Sequence, residues 1–136
     1  MTQIVEVALP AHTHAPADAR ALLRDALHTW ELDGLGDVTE IIVTELVANV
    51  VRHVGTTMTL RISATADRSM VRIEVDDPSS RDPEVQHPKH GSDGGRGLMI
   101  VDALSTRWGV HHRESGKTVW AEIDAVTAAV EMHAEP

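Results

Sequence analysis

The hydrophobic and polar positions of the first third of the chain predict a strand followed by a helix. Apolar and polar residues alternate over 3–9, which is typical of a half-buried strand. Over 14–32 the apolar residues recur at helical spacing, and Pro16 stands where the first turn of a helix tolerates proline. The chain therefore begins as a β-α unit.

A second helix is predicted from Asp37 to about Val54, ending at Gly55. Asp37 is followed three residues later by Glu40, which predicts a capping box at the helix start. Most of this segment is apolar, so we expect it to be a core helix.

The second half of the chain predicts two hairpins separated by a long loop and a helix. The elements are two strands (58–66 and 70–77), a loop (78–95), a helix (96–104) and two strands (107–114 and 116–124). Because the strands are joined mostly as hairpins, we predict an α+β two-layer sandwich: a mixed, mostly antiparallel sheet with helices on one face. The expected organisation is one domain over 1–124 and a C-terminal tail over 125–136.

Composition narrows the classes of function. The 136 residues carry a formal net charge of −9, which argues against nucleic acid as the main partner because duplex binding needs a basic surface. Cysteine is absent, so disulfides and thiolate chemistry are excluded. The sequence has no apolar run of transmembrane length and no signal-peptide pattern at its start, so we expect a cytoplasmic protein without membrane contact.

Four polar groups lie close together in the otherwise apolar second helix: Glu45, Asn49, Arg52 and His53. At about 100° per residue they share one edge of the helix. The edge is continued toward the N-terminus by Val38, Ile41 and Ile42. It could be the solvated side of an amphipathic helix, or it could hold Mg²⁺, since an amide oxygen one turn from a carboxylate suits a hard cation that bridges to phosphate.

Three further stretches carry candidate chemistry, each with a plainer alternative. Gly94, Gly95 and Gly97 precede a helix, where backbone amides can approach an anion closely, although glycine clusters are often only turns. Asp77 ends a strand and could accept a hydrogen bond from an exocyclic amine, or it could simply cap a turn. Thr118 shares a strand face with Trp120 and Glu122, but threonine is also a common strand former.

The nine histidines do not favour a transition-metal site. None has a partner at the spacing of zinc fingers or metalloproteases. His111 and His112 are neighbours in a predicted strand and therefore point to opposite faces.

Together, the stretches ELVANVVRH, IEVDD, GGRGLMIVDAL and GKTVW resemble, in this order, the motifs of the GHKL ATP-binding superfamily, which includes gyrase B and histidine kinases. More narrowly, residues 15–123 are similar to the small ATP-binding regulators of actinobacteria that are related to anti-sigma-factor serine kinases. One departure is at 78–80, where Pro-Ser-Ser replaces the family's glycines. Residues 81–93 correspond to the ATP lid.

The resemblance implies a Bergerat-type ATP site and assigns its residues. Glu45 matches the general base, and Asn49 the ligand of Mg²⁺. Asp77 matches the adenine-reading carboxylate, which Thr118 is expected to support through a water molecule. The residues expected near the phosphates are Gly95, Gly97 and Leu98, with Arg52, His53 and Arg96 as helpers.

The implied function is a serine/threonine kinase of anti-sigma-factor type, which uses ATP and Mg²⁺ to phosphorylate a small antagonist protein. Its implied partners are a sigma factor, the antagonist or both. A homodimer is also possible. The alternative is a non-catalytic module that sequesters a protein partner, with ATP as a structural ligand or with no ligand. A histidine-kinase catalytic domain is disfavoured because no helix carries a phospho-acceptor histidine.

Overall fold

The computed structural model describes residues 2–81 and 97–125, and these residues confirm the predicted order of elements. The elements are β1 (Thr2–Leu9), α1 (Ala15–Thr29), a 3₁₀ helix (Asp33–Leu35), α2 (Gly36–His53), β2 (Met58–Thr65), β3 (Met70–Asp77), α3 (Gly97–Leu104), β4 (Arg107–Arg113) and β5 (Gly116–Asp124). Most of the predicted loop, the lid after Arg81 and the tail after Ala125 lie outside the described residues.

The strands form one five-stranded sheet in the order β1-β2-β3-β5-β4. All four neighbouring pairs of the described strands are antiparallel. Ile73, in the central strand β3, is paired with Ile62 of β2 and Ala121 of β5. The central strand is thus held on both sides, and β1 and β4 are the edges of the sheet.

Alternation along the strands gives the sheet one apolar face, which the helices cover. In β2 the buried residues alternate with partly exposed ones. β3 alternates in the same way up to Val75, and β5 does so from Val119 onward, but the residues where these two strands meet, Asp76, Asp77 and 116–118, are all buried. The fully buried side chains on the sheet and on the helices include Leu60, Ile62, Ile73, Leu23, Ile42 and Val47. Each buried aliphatic side chain of this size contributes about 1.5–3 kcal/mol. The predicted α+β two-layer sandwich is therefore confirmed.

The structure corrects the predicted start of α2. The 3₁₀ turn runs directly into the helix. Leu35 is the N-cap residue, and no side chain makes a capping hydrogen bond there. Glu40 does not fold back as in a capping box but accepts a hydrogen bond from Arg24 at 2.7 Å. The capping-box prediction was wrong because the preceding 3₁₀ turn already continues into the helix, so the chain has no extended N-cap residue there.

The predicted end of α1 was also too late. The helix stops at Thr29, and Glu31 has a positive φ of 58°. The Leu32 N–H then donates to the carbonyl oxygen of Leu27 at 2.7 Å, closing the helix end. None of the helices in the described residues is both long and apolar enough to cross a bilayer.

Candidate functional site

The polar edge of α2 lies at the C-terminal half of the helix. Glu45 and Asn49 are half-buried, whereas Arg52 and His53 are exposed. The opposite side of α2 is buried: Thr39, Ile42, Val43, Leu46, Val47 and Val50. Ile42 therefore belongs to the core and not to the polar edge, which corrects its predicted place. The spacing of residues along α2 did not predict this burial, because it does not show that α1 and α3 also pack against the helix.

The first residue of α3 packs against this polar edge. A β-carbon on Gly97 would lie 3.0 Å from Glu45 Oε2 and 3.7 Å from Arg52 Nη2. Any larger side chain at Gly97 would therefore have to displace the Glu45 carboxylate. Leu98, the next residue, is buried in the core, so only its backbone N–H can bind an anion. Gly95 and Arg96 lie outside the described residues.

Asp77 ends β3 on the face of the sheet that the helices cover. Its side chain is 1% exposed, and both hydrogen bonds that it accepts from described residues run to Oδ1. One comes from the backbone N–H of Ser79 at 2.8 Å and the other from Lys117 Nζ at 2.9 Å. Lys117 is itself buried, so Asp77 and Lys117 form a buried ion pair.

Thr118 lies on the opposite face of the sheet, so the structure corrects its expected partnership with Asp77. In the register of β3 and β5, Asp77 is opposite Lys117 and Asp76 is opposite Thr118. The Thr118 hydroxyl donates to Asp76 Oδ1 at 2.6 Å. Because neighbouring residues of a strand point to opposite faces, a threonine paired with Asp76 cannot also support Asp77 from the helix side.

Asp76 is held by cations on that opposite face, which we call the outer face of the sheet. Arg61 Nη2 donates to both carboxylate oxygens, at 2.8 and 2.7 Å, and Arg113 lies 3.4 Å away. Burial lowers the pKa of Arg61, but the hydrogen bonds and charges of Asp76 outweigh it, so the pKa is raised overall. Asp76 is thus fully engaged in the sheet.

The topology brings these distant stretches to one end of the molecule. The chain leaves the C-terminal end of α2 at His53 and enters β2 at Met58. The next residue, Thr59, is paired with Asp76, so the C-terminal end of β3 lies at the same end of the sheet as the polar end of α2. The polar edge of α2, the start of α3 and the Asp77–Lys117 pair therefore converge on the helix side of the sheet.

A sequence profile described as the histidine kinase-like ATPase domain matches residues 8–123. The chain belongs to this family. The uncharacterized protein SCO4941 of Streptomyces coelicolor is 33% identical over 84 residues, which are 59% of this chain and 79% of the relative.

Two solved structures share the fold of this histidine kinase-like ATPase domain. One contains the RsbU and RsbW domains of Rv1364c from Mycobacterium tuberculosis, with a TM-score of 0.66 and 20% identity over 90% of this chain. The other is the histidine kinase domain of a blue-light activated histidine kinase from Erythrobacter litoralis, with a TM-score of 0.56 and 17% identity over 89% of this chain. The chain spans 32% of the first of these proteins and 66% of the second. These similarities support the GHKL fold inferred from the motifs.

Within residues 2–81 and 97–125, no three His, Asp or Glu side chains cluster as a metal site. The half-buried amide of Asn49 is an oxygen donor of the kind that suits Mg²⁺, because Mg²⁺ keeps several waters and takes other ligands from substrate phosphates.

Lys117 is the residue at this site that the sequence reasoning missed. The signal was present in GKTVWAEID, where the alternating residues Val119, Ala121 and Ile123 are the apolar ones and face the core. Lys117 belongs to the same alternating set, so it had to face the core side as well. A lysine in an apolar register needs a buried partner, and Asp77 is that partner.

Proposed function

We propose that this histidine kinase-like ATPase domain binds ATP with Mg²⁺ where α2, α3 and the end of β3 meet. The observation that carries the proposal is the packing of Gly97 against Glu45 and Arg52, because it brings a helix N-terminus to a carboxylate and a guanidinium. Asn49 lies one turn from Glu45 on the same helix and would hold the Mg²⁺.

The base of the nucleotide would lie at Asp77, on the same side of the sheet. A carboxylate at this position accepts a hydrogen bond from the exocyclic amine of adenine. The phosphates would then extend toward the start of α3, where Gly97 allows a close approach of the backbone. Arg52 and His53 are exposed at the end of α2 and would assist near the phosphates.

The proposed reaction is transfer of the γ-phosphoryl group to a serine or threonine of a small antagonist protein. The hydroxyl oxygen attacks the γ-phosphorus while Glu45 takes its proton, and the bond from the γ-phosphorus to the bridging oxygen breaks to release ADP. Positioning and charge neutralisation account for most of the catalysis in such transfers. In a partner-switching system, this step would control the release of a sigma factor.

A Glu45→Gln variant tests the catalytic part of the proposal. The amide cannot accept the hydroxyl proton, so we expect transfer to fall by about 100-fold or more. ATP affinity should stay within about twofold of the unmodified protein, since the glutamine would keep the shape of the side chain. Both would be measured by calorimetry with ATP and by label transfer to candidate antagonist proteins.

Glu40→Gln is the matched control, because Glu40 lies on the same helix but pairs with Arg24 at the surface. It should change neither ATP affinity nor transfer. Transfer that persists in Glu45→Gln would remove Glu45 from the role of general base.

A second candidate function is a protein-binding module without catalysis. The buried ion pair favours it, because Asp77 is already engaged by Lys117 and by the Ser79 N–H. Partner binding that persists without ATP and without transfer of label would support such a module. Transfer of label from ATP to the partner would exclude it.

A further inference from the structure

Lys117 and Asp77 are an unusual pair to find in the interior of a small domain. Their side chains are 4% and 1% exposed, and the Nζ–Oδ1 distance is 2.9 Å. Removing two charges from water costs about as much as their attraction returns, so such pairs contribute little to stability compared with apolar side chains of the same size. A role in recognition explains the pair better than a role in folding.

Among the described residues, the hydrogen bonds of the pair leave one N–H donor of Lys117 and one carboxylate oxygen of Asp77 to spare. The Lys117 ammonium has three N–H donors, and within the described chain it contacts Asp77 Oδ1 at 2.9 Å and the Ser79 carbonyl oxygen at 3.4 Å. Asp77 accepts both of its described hydrogen bonds at Oδ1, so Oδ2 keeps its capacity to accept. The pair can therefore offer one acceptor and one charged donor to a ligand.

We propose that Lys117 is a specificity-determining residue of the nucleotide site, which donates a hydrogen bond to the ring nitrogen N1 of adenine. The inference rests on the proposed function, in which Asp77 accepts from the neighbouring exocyclic amine. In adenine the amine donor and the N1 acceptor are both bonded to C6, and the pair presents the complementary acceptor and donor. The structure assigns the second contact to Lys117 because Thr118 is on the outer face.

The first experiment uses the unmodified protein and changes only the nucleotide. In 1-deaza-ATP a C–H replaces N1, so the Lys117 donor loses its acceptor while the exocyclic amine remains. We expect its Kd, measured by calorimetry with Mg²⁺, to be about tenfold or more above that of ATP, because a lost hydrogen bond to a charged group has an effect of this size. In 7-deaza-ATP the altered atom is away from N1, and its Kd should stay within about twofold.

The second experiment repeats both titrations on Lys117→Met and Lys117→Gln. The methionine has a similar length and no donor. In this variant the Kd of 1-deaza-ATP divided by the Kd of ATP should therefore fall to about one. The glutamine keeps a neutral donor that can still pair with Asp77. Its ratio should therefore lie between that of the unmodified protein and that of Lys117→Met. The glutamine also leaves the Asp77 carboxylate paired, which keeps the test available if the methionine variant does not fold.

Four results would overturn the inference. Equal affinity of the unmodified protein for ATP and 1-deaza-ATP would show that N1 is not read, while ATP binding itself would still support the proposed function. If the Kd of 1-deaza-ATP divided by that of ATP were unchanged in the folded variants, a group other than Lys117 would donate to N1. Tighter ATP binding by the variants would mean that the ammonium blocks the pocket. Failure of the unmodified protein to bind ATP would overturn the proposed function as well.

Discussion

At the scale of single residues, the site depends on Gly116, which lies between the turn of the last hairpin and Lys117. Its φ of 143° lies in a region that other residues rarely adopt, and a β-carbon there would overlap the carbonyl oxygen of Asp77. The glycine thus allows the backbone of β5 to approach the end of β3 closely. This contact sets the positions of both Asp77 and Lys117.

We predict that Gly116→Ala lowers the free energy of unfolding by about 3 kcal/mol or more, because it combines an unfavourable φ with a backbone clash. The measurement is equilibrium unfolding in urea at pH 7. Gly34→Ala is the matched control, since Gly34 has open space around its α-carbon and no positive φ. It should change the free energy of unfolding by less than about 1 kcal/mol. Equal effects of the two substitutions would contradict this account of Gly116.

The sequence could predict individual site residues only in part. Glu45 and Asn49 stand out because a core helix seldom carries such groups, and the structure places them on the predicted edge. Lys117 was missed because it follows a turn glycine, where a lysine is usually solvated. The alternation in β5 indicates the face of Lys117, but its partner Asp77 follows from the pairing register, which joins residues far apart in the sequence.

At the scale of the elements, the outer face of the sheet is held by charges that cross from strand to strand. Glu122 in β5 accepts hydrogen bonds from Arg72 Nη1 at 2.7 Å and from Arg107 Nε at 2.8 Å. Arg72 also lies 4.4 Å from the centre of the Trp120 ring, a cation–π contact. These interactions link β3, β5 and β4 on the outer face, which none of the described helices covers.

The charge of Glu122 should make the stability of this sheet depend on pH. Burial alone would raise the pKa of Glu122, but the hydrogen bonds and charges of Arg107 and Arg72 outweigh it, so the pKa lies below its ordinary value of 4.5. A carboxyl with a lowered pKa in the folded state stabilises it above the unfolded value, and this contribution is lost as the pH falls through the folded value.

We therefore predict that Glu122→Gln lowers the free energy of unfolding by about 1–2 kcal/mol at pH 7. The difference from the unmodified protein should shrink as the pH falls below 4.5. Urea unfolding between pH 7 and pH 3 would measure it. Glu6→Gln is the control, because Glu6 is 58% exposed and 3.6 Å from Arg61, and should cost less than about 0.5 kcal/mol at pH 7. A constant difference for Glu122→Gln over the whole range would contradict the assignment.

The elements themselves could largely be predicted, because hydrophobic periodicity is strong in most of this chain. The strands β2 and β3 and the hairpin of β4 and β5 lie where the alternation predicted them. The errors are at helix ends, where Glu31 adopts a positive φ and the 3₁₀ turn replaces a cap. Such local backbone choices depend on tertiary packing, which periodicity does not contain.

At the scale of the whole molecule, the sheet order β1-β2-β3-β5-β4 brings the parts of the candidate site together. It places β5 beside β3, so that Lys117 meets Asp77, and it leaves the helices on one side. Hairpin patterns predict which consecutive strands pair, but the pairing of β3 with β5 was not predicted from the pattern. The family motifs supplied the expectation that these stretches form one site, and the fold brings them to one end.

The central claim is that this end of the molecule is an ATP·Mg²⁺ site, and one titration tests it most directly. The protein and its Asn49→Ala variant would be titrated with ATP by calorimetry, each with and without Mg²⁺. We predict binding that strengthens with Mg²⁺ in the unmodified protein, and a loss of about tenfold or more in the variant, whose thermal unfolding should stay nearly unchanged. No heat at millimolar ATP, or binding that ignores both Mg²⁺ and Asn49, would contradict the account.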